Sequence, residues 1–425
     1  MIRTALSALT LRGRAFVSAG ITAVVCGLLF SLDDLSRVGV FLAALPVVAA
    51  LVVTRGRHRL ALVRSVSPHR IGVGQSAEVS LHLRNEGRGP TGLLLLEEQV
   101  PYSLGTRPRF VIDRMPPTWE RQVSYRVRSE VRGRFVLGPV TVRAADPFGL
   151  VELDRAFRST ATVTVTPRVV TLPVIGLSGS WTGSGDNRPR DFAGGSAEDV
   201  TVREYRRGDD LRRVHWRSSA HAGELMVRRE EQPWQSRATV FIDNRAHVHR
   251  GAGAASSLEY AVSAAASIVA HLVQRGFRTR LLSAGGTALG EGWHDQGSPS
   301  GEVGPLLDAL AVLQPEPGQR LESVGPDETH ARGLVVAIFG DLAATDQAVV
   351  NRLRHQSPSA IALVLDVDRW SRATRHPPGE LPVLRTLAAS GWRAVSAGPQ
   401  DSLPSKWREV GAAVRRTGAG ERVPS

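Results

Sequence analysis

At 425 residues, with 42% of them hydrophobic, the chain is too long for one small domain and apolar enough to build real cores. Its formal net charge of +13 comes from arginine, since Lys406 is the one lysine; acids interleave with the arginines and no recognition motif appears, so nucleic acid is not an expected partner and an anionic membrane surface is. Cys26, the single cysteine, lies in an apolar run, which excludes an internal disulfide and leaves no basis for a cysteine-built metal site.

Two apolar runs open the chain, Ala15 to Leu32 and Val38 to Thr54, each close to the roughly 20 residues that cross a bilayer. Ser31 to Arg37 is too short a gap to hold a domain, so residues 1–59 read as a transmembrane hairpin. Arg3, Arg12 and Arg14 precede it and Arg55, Arg57, Arg59 and Arg64 follow it, which places both ends in the cytoplasm and the Asp33-Asp34 turn outside. A cleaved signal peptide fits less well: no small-x-small site follows the first run, and the second would still stop transfer. The chain is therefore expected in the cell membrane as a multi-pass protein, in contact with lipid, with its soluble domains cytoplasmic.

Residues 60–170 alternate. Val79, Leu81 and Leu83 take every second position, as do Val123, Tyr125 and Val127, then Val140 and Val142, then Val163 and Val165. Turn signals separate them at Asn85-Glu86-Gly87, Arg132-Gly133, Leu137-Gly138-Pro139 and Asp146-Pro147-Phe148-Gly149. Short half-buried strands at this spacing predict a β-sandwich, immunoglobulin-like.

Residues 171–237 read as a linker carrying a dense polar stretch. Gly176, Gly179, Gly183, Gly185, Gly194 and Gly195 have no terminal Gly-Lys-Ser/Thr, so this is not a nucleotide loop. From Ser196 to Arg229 six acids meet many arginines around Arg203-Glu204-Tyr205-Arg206-Arg207-Gly208-Asp209-Asp210 and Arg213-Val214-His215-Trp216. Gly208 allows a tight turn and Asp209 or Asp210 can cap a short helix. Arg203, Tyr205, Asp209, Arg213, His215 and Trp216 are expected to form a packed polar-aromatic cluster between the sandwich and the domain that follows, with Trp216 supplying buried area and His215 a hydrogen bond.

In residues 238–417 the period changes. Strands at Ala238 to Asp243, Arg278 to Ser283, Leu334 to Phe339, Ile361 to Leu365 and Trp392 to Val395 alternate with helices at Ser256 to Gln274, Val303 to Leu313, Val349 to Arg354, Leu381 to Ala389 and Ser405 to Val414. This alternation predicts a mostly parallel open α/β sheet with helices on both faces, followed by a tail over 418–425. Asp243, Asp341 and Asp366 each follow a strand and could share a rim where such sheets bind ligands. The bland alternative is that each caps the next turn.

The arrangement resembles a von Willebrand factor A domain, whose metal site opens with Asp-x-Ser-x-Ser after the first strand. Here that stretch is Asp243-Asn244-Arg245-Ala246-His247, with Arg245 and His247 in the serine places, and Asp341 stands where such domains often set a further aspartate. The resemblance therefore implies a degenerate rim, Asp243 with Asp341, and neither metal nor cofactor is expected. The hairpin, Arg132-Gly133-Arg134-Phe135, Asp146-Pro147-Phe148-Gly149-Leu150, the Arg203 to Asp210 and Arg213 to Trp216 stretches, and Gly223-Glu224-Leu225-Met226-Val227-Arg228 together are similar to domain-of-unknown-function family 58, the membrane-anchored proteins associated with MoxR-type AAA+ ATPases. The resemblance implies a non-enzymatic adaptor that works with such an ATPase, and with a transglutaminase-like membrane protein, in assembling or remodelling envelope complexes. It points to Arg203, Glu204, Tyr205, Gly208, Asp209, Arg213, His215 and Trp216 as the interaction motif. The competing reading is a metal-dependent hydrolase centred on Glu204, Asp209, Asp210 and His215, residue types that can move protons or hold a cation.

Overall fold

A computed structural model of the chain describes residues 8–55, 60–87, 93–113, 115–146, 148–176, 202–204, 216–228, 237–294, 303–322, 333–355, 357, 359–371 and 381–418. The chain divides into two compact units. One comprises Met1–Val170, Gly251–Ala266 and Gly304–Pro315; the other comprises Thr171–Arg250, Ser267–Val303 and Glu316–Ser425.

The first unit opens with helices α1 (Leu11–Leu29) and α2 (Asp33–Arg55), both long and apolar enough to cross a membrane. Thr10 caps α1 by accepting the Gly13 amide at 3.2 Å, and Ser31 takes a positive φ of 54° in the turn. The helices approach closely because their contact is lined by small residues: a Cβ on Gly20 would lie 2.7 Å from the Gly39 carbonyl and 2.6 Å from the Ala43 amide nitrogen. Outward, apolar side chains such as Leu28 and Phe41 stay exposed.

Ten strands follow: β1 (Leu60–Ser67), β2 (Arg70–Gly72), β3 (Ser76–Asn85), β4 (Leu94–Glu98), β5 (Arg109–Ile112), β6 (Glu120–Arg128), β7 (Gly133–Leu137), β8 (Val140–Ala145), β9 (Glu152–Phe157) and β10 (Ala161–Thr166). They form sheets ordered β1-β3-β6, β5-β4-β8-β9 and β2-β10-β7, antiparallel except for the β2–β10 pair. The alternation read from sequence lies inward: Val79, Leu81 and Leu83 of β3, Val127 of β6, Val140 and Val142 of β8, and Val163 and Val165 of β10 are all buried. The same face of β3 serves two cores. Leu81 and Leu83 meet Leu94, Leu96 and Val142, whereas Ala77 and Val79 meet Leu137, Val163 and Val165. The predicted turn after Asn85 is built by that residue, whose Oδ1 accepts the Gly87 amide at 3.0 Å.

Within residues 171–237, read from sequence as a linker, two short strands, β11 (Val202–Glu204) and β12 (Met226–Arg228), pair antiparallel around helix α3 (Trp216–Ala222). Ser219 ties α3 to β12 by accepting the Met226 amide at 2.8 Å.

The remaining elements are β13 (Arg237–Ile242), α4 (Ser257–Gln274), β14 (Arg278–Leu282), β15 (Ala288–His294), α5 (Gly304–Val312), β16 (Leu334–Phe339), α6 (Gln347–His355), β17 (Ser359–Leu365), α7 (Pro382–Ala389), β18 (Arg393–Ala397) and α8 (Leu403–Gly418). The sheet runs β15-β14-β13-β16-β17-β18, parallel throughout except for the antiparallel edge pair β14–β15. β16 and β17 are buried along their whole length, which is why they read as unbroken apolar runs rather than alternations. On one face Phe241, Phe339 and Val364 pack with Val350 and Leu353 of α6, Leu387 of α7, and Trp392.

The division between the units falls inside α4, between Ala266 and Ser267. Within the first unit, a pair of arginines from the sandwich holds the α4 and α5 segments assigned to it. Arg70 binds Asp308 of α5 with two hydrogen bonds, at 2.8 and 2.6 Å. Arg132, from the Arg-Gly-Arg-Phe stretch, is buried and donates to the Leu310 carbonyl at 3.0 Å, to the Leu313 carbonyl and to Glu259 of α4. A buried cation on carbonyls at the end of α5 meets the negative end of the helix, where acceptors run short of intrahelical donors.

Candidate functional site

The strand order reverses between β13 and β16, and in open sheets of this kind the crevice beyond such a reversal is where ligands bind. The loop leaving β13 is tightly held there. Glu316 donates its amide to the Asn244 carbonyl at 2.8 Å and accepts the Ala246 amide at 2.7 Å, while the Asn244 side chain accepts the Ala284 amide at 3.1 Å. With the backbone pinned on both sides, the side chains after β13 have little freedom.

Arg245 fills the crevice. Its Nε and Nη2 donate to the two oxygens of Asp243 at 2.9 and 2.8 Å, and its Nη1 and Nη2 donate to the two oxygens of Asp346 at 3.0 Å each. Nη1 also reaches the Gln319 carbonyl at 3.1 Å. The side chains of Arg245, Asp243 and Asp346 are 1%, 0% and 2% exposed, so this is an ion triad out of water. Burial works against the arginine's charge, but the hydrogen bonds and fields of the two carboxylates outweigh it and raise its pKa further. The carboxylates are satisfied beyond the arginine as well: Asp243 accepts the Arg245 amide at 3.3 Å and Asp346 the Ala343 amide at 3.1 Å.

Chemically, a guanidinium between two carboxylates does what a divalent cation does in neutralising them, but it is covalently fixed and has no open coordination position. Asp243 and Asp346 alone could ligate a metal; here Arg245 is bonded to all four of their oxygens and supplies the counter-charge itself. Among the described residues, no group of three or more His, Cys, Asp or Glu side chains could hold a metal ion.

His249 stands behind the triad, its Nε2 2.6 Å from the Asp243 carbonyl oxygen. A carbonyl only accepts, so Nε2 carries the proton, and burial pushes the imidazole pKa below its usual range. His247, the other residue in a serine place, is exposed.

Asp341 is exposed, and the acid that closes on Arg245 is Asp346 instead. Asp341 and Asp366 line a separate shallow cleft of about 220 Å³ with Asp368, Leu381 and Val383; Asp243 is not part of its lining. Nothing local marked Asp346 as the partner. It follows Ala343-Ala344-Thr345 at the start of α6, where an aspartate reads as a helix cap.

Of the interaction motif, Arg203 and Glu204 lie on β11, opposite Val227 and Met226 of β12. Tyr205, Gly208, Asp209, Asp210, Arg213 and His215 fall outside the described residues. Trp216 begins α3 and is 70% exposed, so the buried area expected of it is not there.

No curated protein matches the chain. Among solved structures, the CARDB domain of the PF1109 protein from Pyrococcus furiosus, solved in complex with di-metal ions, is 19% identical and covers 25% of this chain and 93% of its own, at a TM-score of 0.19. The putative ApaA protein from Bordetella pertussis is 8% identical over 25% of this chain and 94% of its own, at a TM-score of 0.20. A β-glucosidase from Listeria innocua, in complex with gluconolactone, is 13% identical over 26% of this chain and 16% of its own, at a TM-score of 0.18. Residues 201–353, which hold the β11–β12 pair and the whole Asp243–Arg245–Asp346 triad, match the family model described as protein of unknown function DUF58.

Proposed function

We propose that this protein is a membrane-anchored, non-enzymatic adaptor of the DUF58 type. In this reading it works with a MoxR-type AAA+ ATPase, alongside a transglutaminase-like membrane protein, in assembling or remodelling envelope-associated protein complexes. Helices α1 and α2 anchor it, the β-sandwich spaces it, and the open sheet acts as a von Willebrand factor A-like docking domain. The arginines that flank the two apolar runs support a cytoplasmic location for the soluble parts.

One observation carries this reading: Arg245 is bonded to both carboxylates at the point where the strand order reverses, at 2.8–3.0 Å and out of water. A docking domain that captures an acidic partner through an exchangeable cation needs a vacant position on that cation, and a guanidinium held by four hydrogen bonds to carboxylates has none. Partner contact then falls to the surface, where the DUF58-matching segment carries the exposed Trp216.

The test is affinity purification of the full chain from native membranes in mild detergent, with ATP hydrolysis blocked. An AAA+ ATPase is expected in the eluate, and its recovery should fall when Trp216→Ala replaces the wild type. Recovery of no AAA+ ATPase with intact protein rejects the adaptor reading. Tight divalent-ion binding with turnover of an ester or phosphate substrate favours the hydrolase centred on Glu204, Asp209, Asp210 and His215.

A further inference from the structure

We propose that Phe148 is a membrane foot: the loop that carries it is clamped to the base of the helical hairpin so that the ring enters the headgroup region of an anionic bilayer. This inference rests on the membrane reading of α1 and α2.

The loop is bound to the chain just before α1. Ala8 accepts the Glu152 amide at 2.8 Å, Leu9 and Val151 form an antiparallel bridge, and Thr10 donates its amide to the Leu150 carbonyl at 3.0 Å and its hydroxyl to the Gly149 carbonyl at 2.7 Å. Gly13 is required one turn further on, because a Cβ there would collide with the Leu150 carbonyl. Asp146 makes the loop rigid from inside, accepting the Phe148 amide at 3.0 Å and the Val151 amide at 2.6 Å, while Gly149 supplies a φ of +67°.

The level at which the loop is held is the telling feature. Leu150 and Val151 are buried against Ala8 and Ala50, with Leu9, Leu45 and Ala49 packed around them. Beyond Ala50, α2 continues through Leu51, Val52, Val53 and Thr54 before it reaches Arg55, about 7.5 Å further along at ~1.5 Å per residue. The loop therefore lies beside the last apolar turn of α2, not past its end. At the same level α1 presents Arg12 and Arg14, both exposed. Apolar backbone depth on one helix and guanidinium groups on the other describe the interface between acyl chains and headgroups. Phe148 is 64% exposed there, while Leu150 and Val151 in the same loop are 2% and 0% exposed. A rigid loop that holds one aromatic ring outward at this depth fits lipid, and the paired arginines fit anionic headgroups.

The experiment uses the full chain with Cys26→Ser, reconstituted in nanodiscs of phosphatidylcholine with or without phosphatidylglycerol. Single nitroxide labels are placed at Phe148→Cys, at Phe41→Cys on the exposed face of α2, and at Tyr102→Cys, which is 96% exposed in the sandwich. Collisions with oxygen, which partitions into lipid, are compared with collisions with a water-soluble nickel chelate. The ratio of oxygen to nickel collisions at 148 is expected severalfold above that at 102 and below that at 41, with a larger gap when phosphatidylglycerol is present. A 148 label as open to nickel as the 102 label, with the 41 label in lipid, overturns the foot and leaves the anchor standing. A 41 label open to nickel removes the membrane reading, and the foot with it. A 148 label shielded from both reagents assigns the ring to a protein surface and also overturns the proposal, and equal ratios in the two lipids overturn its anionic part.

Discussion

Arg64 in the sandwich and Arg245 in the sheet are equally buried, each with a side chain 1% exposed, yet they are satisfied very differently. Arg64 donates from Nε to Glu98 at 2.7 Å and from Nη1 to the Ser159 carbonyl at 2.5 Å. Its Nη2, the second Glu98 oxygen and the Tyr125 hydroxyl beside them are buried without a hydrogen-bond partner. Burial pushes the Tyr125 phenol well above its ordinary pKa, and the neighbouring Glu98 adds to the rise. Arg245 instead uses all three of its nitrogens on two carboxylates and a carbonyl. Desolvation is similar at both places, but only the sheet's arginine recovers it through a full set of charge-assisted hydrogen bonds. The lesson is that burial of an ion pair says little by itself; the count of satisfied atoms decides whether the pair holds a structure together.

The largest effect that could break this contrast is expected from Arg245→Ala. It leaves Asp243 and Asp346 buried with no counter-charge and should cost about 3–5 kcal/mol, measured by urea unfolding followed through tryptophan fluorescence. A loss under about 1 kcal/mol would mean that the triad contributes no more than an ordinary surface pair.

Exchanging whole clusters for apolar residues sharpens the comparison. Arg64→Met with Glu98→Leu removes two unpartnered atoms and should be neutral or stabilising, by up to about 4 kcal/mol. Arg245→Met with Asp243→Leu and Asp346→Leu should destabilise instead, because the amides of Arg245 and Ala343 and the Gln319 carbonyl lose their partners. The same sign for both exchanges, in the same unfolding assay, would erase the distinction.

Acid should weaken the sheet side through two buried histidines. Burial lowers the pKa of both His249 and His271 in the folded protein. The unfolded chain then binds more protons below the ordinary histidine pKa, so their contribution is whole above about pH 6.5 and is lost as pH falls through the lowered folded values. Unfolding free energy should decline across that window, and His249→Gln with His271→Gln should flatten the profile. The smallest effect belongs to the exposed Arg128–Glu130 pair, whose side chains are 63% and 65% exposed. Glu130→Gln should change stability by less than about 0.5 kcal/mol in the same assay, which sets the baseline for the buried clusters.

Taken alone, the residue pattern was enough to locate most of the elements. Val79, Leu81 and Leu83 announced a half-buried strand, Leu334 to Phe339 a strand buried on both faces, and Ser256 to Gln274 a helix, because periodicity and turn chemistry are local properties of the chain. It also placed Arg245 in the stretch after the first strand of the sheet, at a position where the resembled metal site has a hydroxyl. The edge strand β15 is not legible in the sequence, since Ala288-Leu289-Gly290-Glu291-Gly292-Trp293-His294 carries two glycines and no clean alternation. Only the tertiary structure chose Asp346 over Asp341 as the partner of Arg245, set Arg132 on the end of α5, and brought residues 148–151 to Thr10. These contacts join residues 101, 178 to 181 and about 140 positions apart. No local pattern encodes such neighbours, because which distant charges meet is settled by strand order and loop path after the chain has packed.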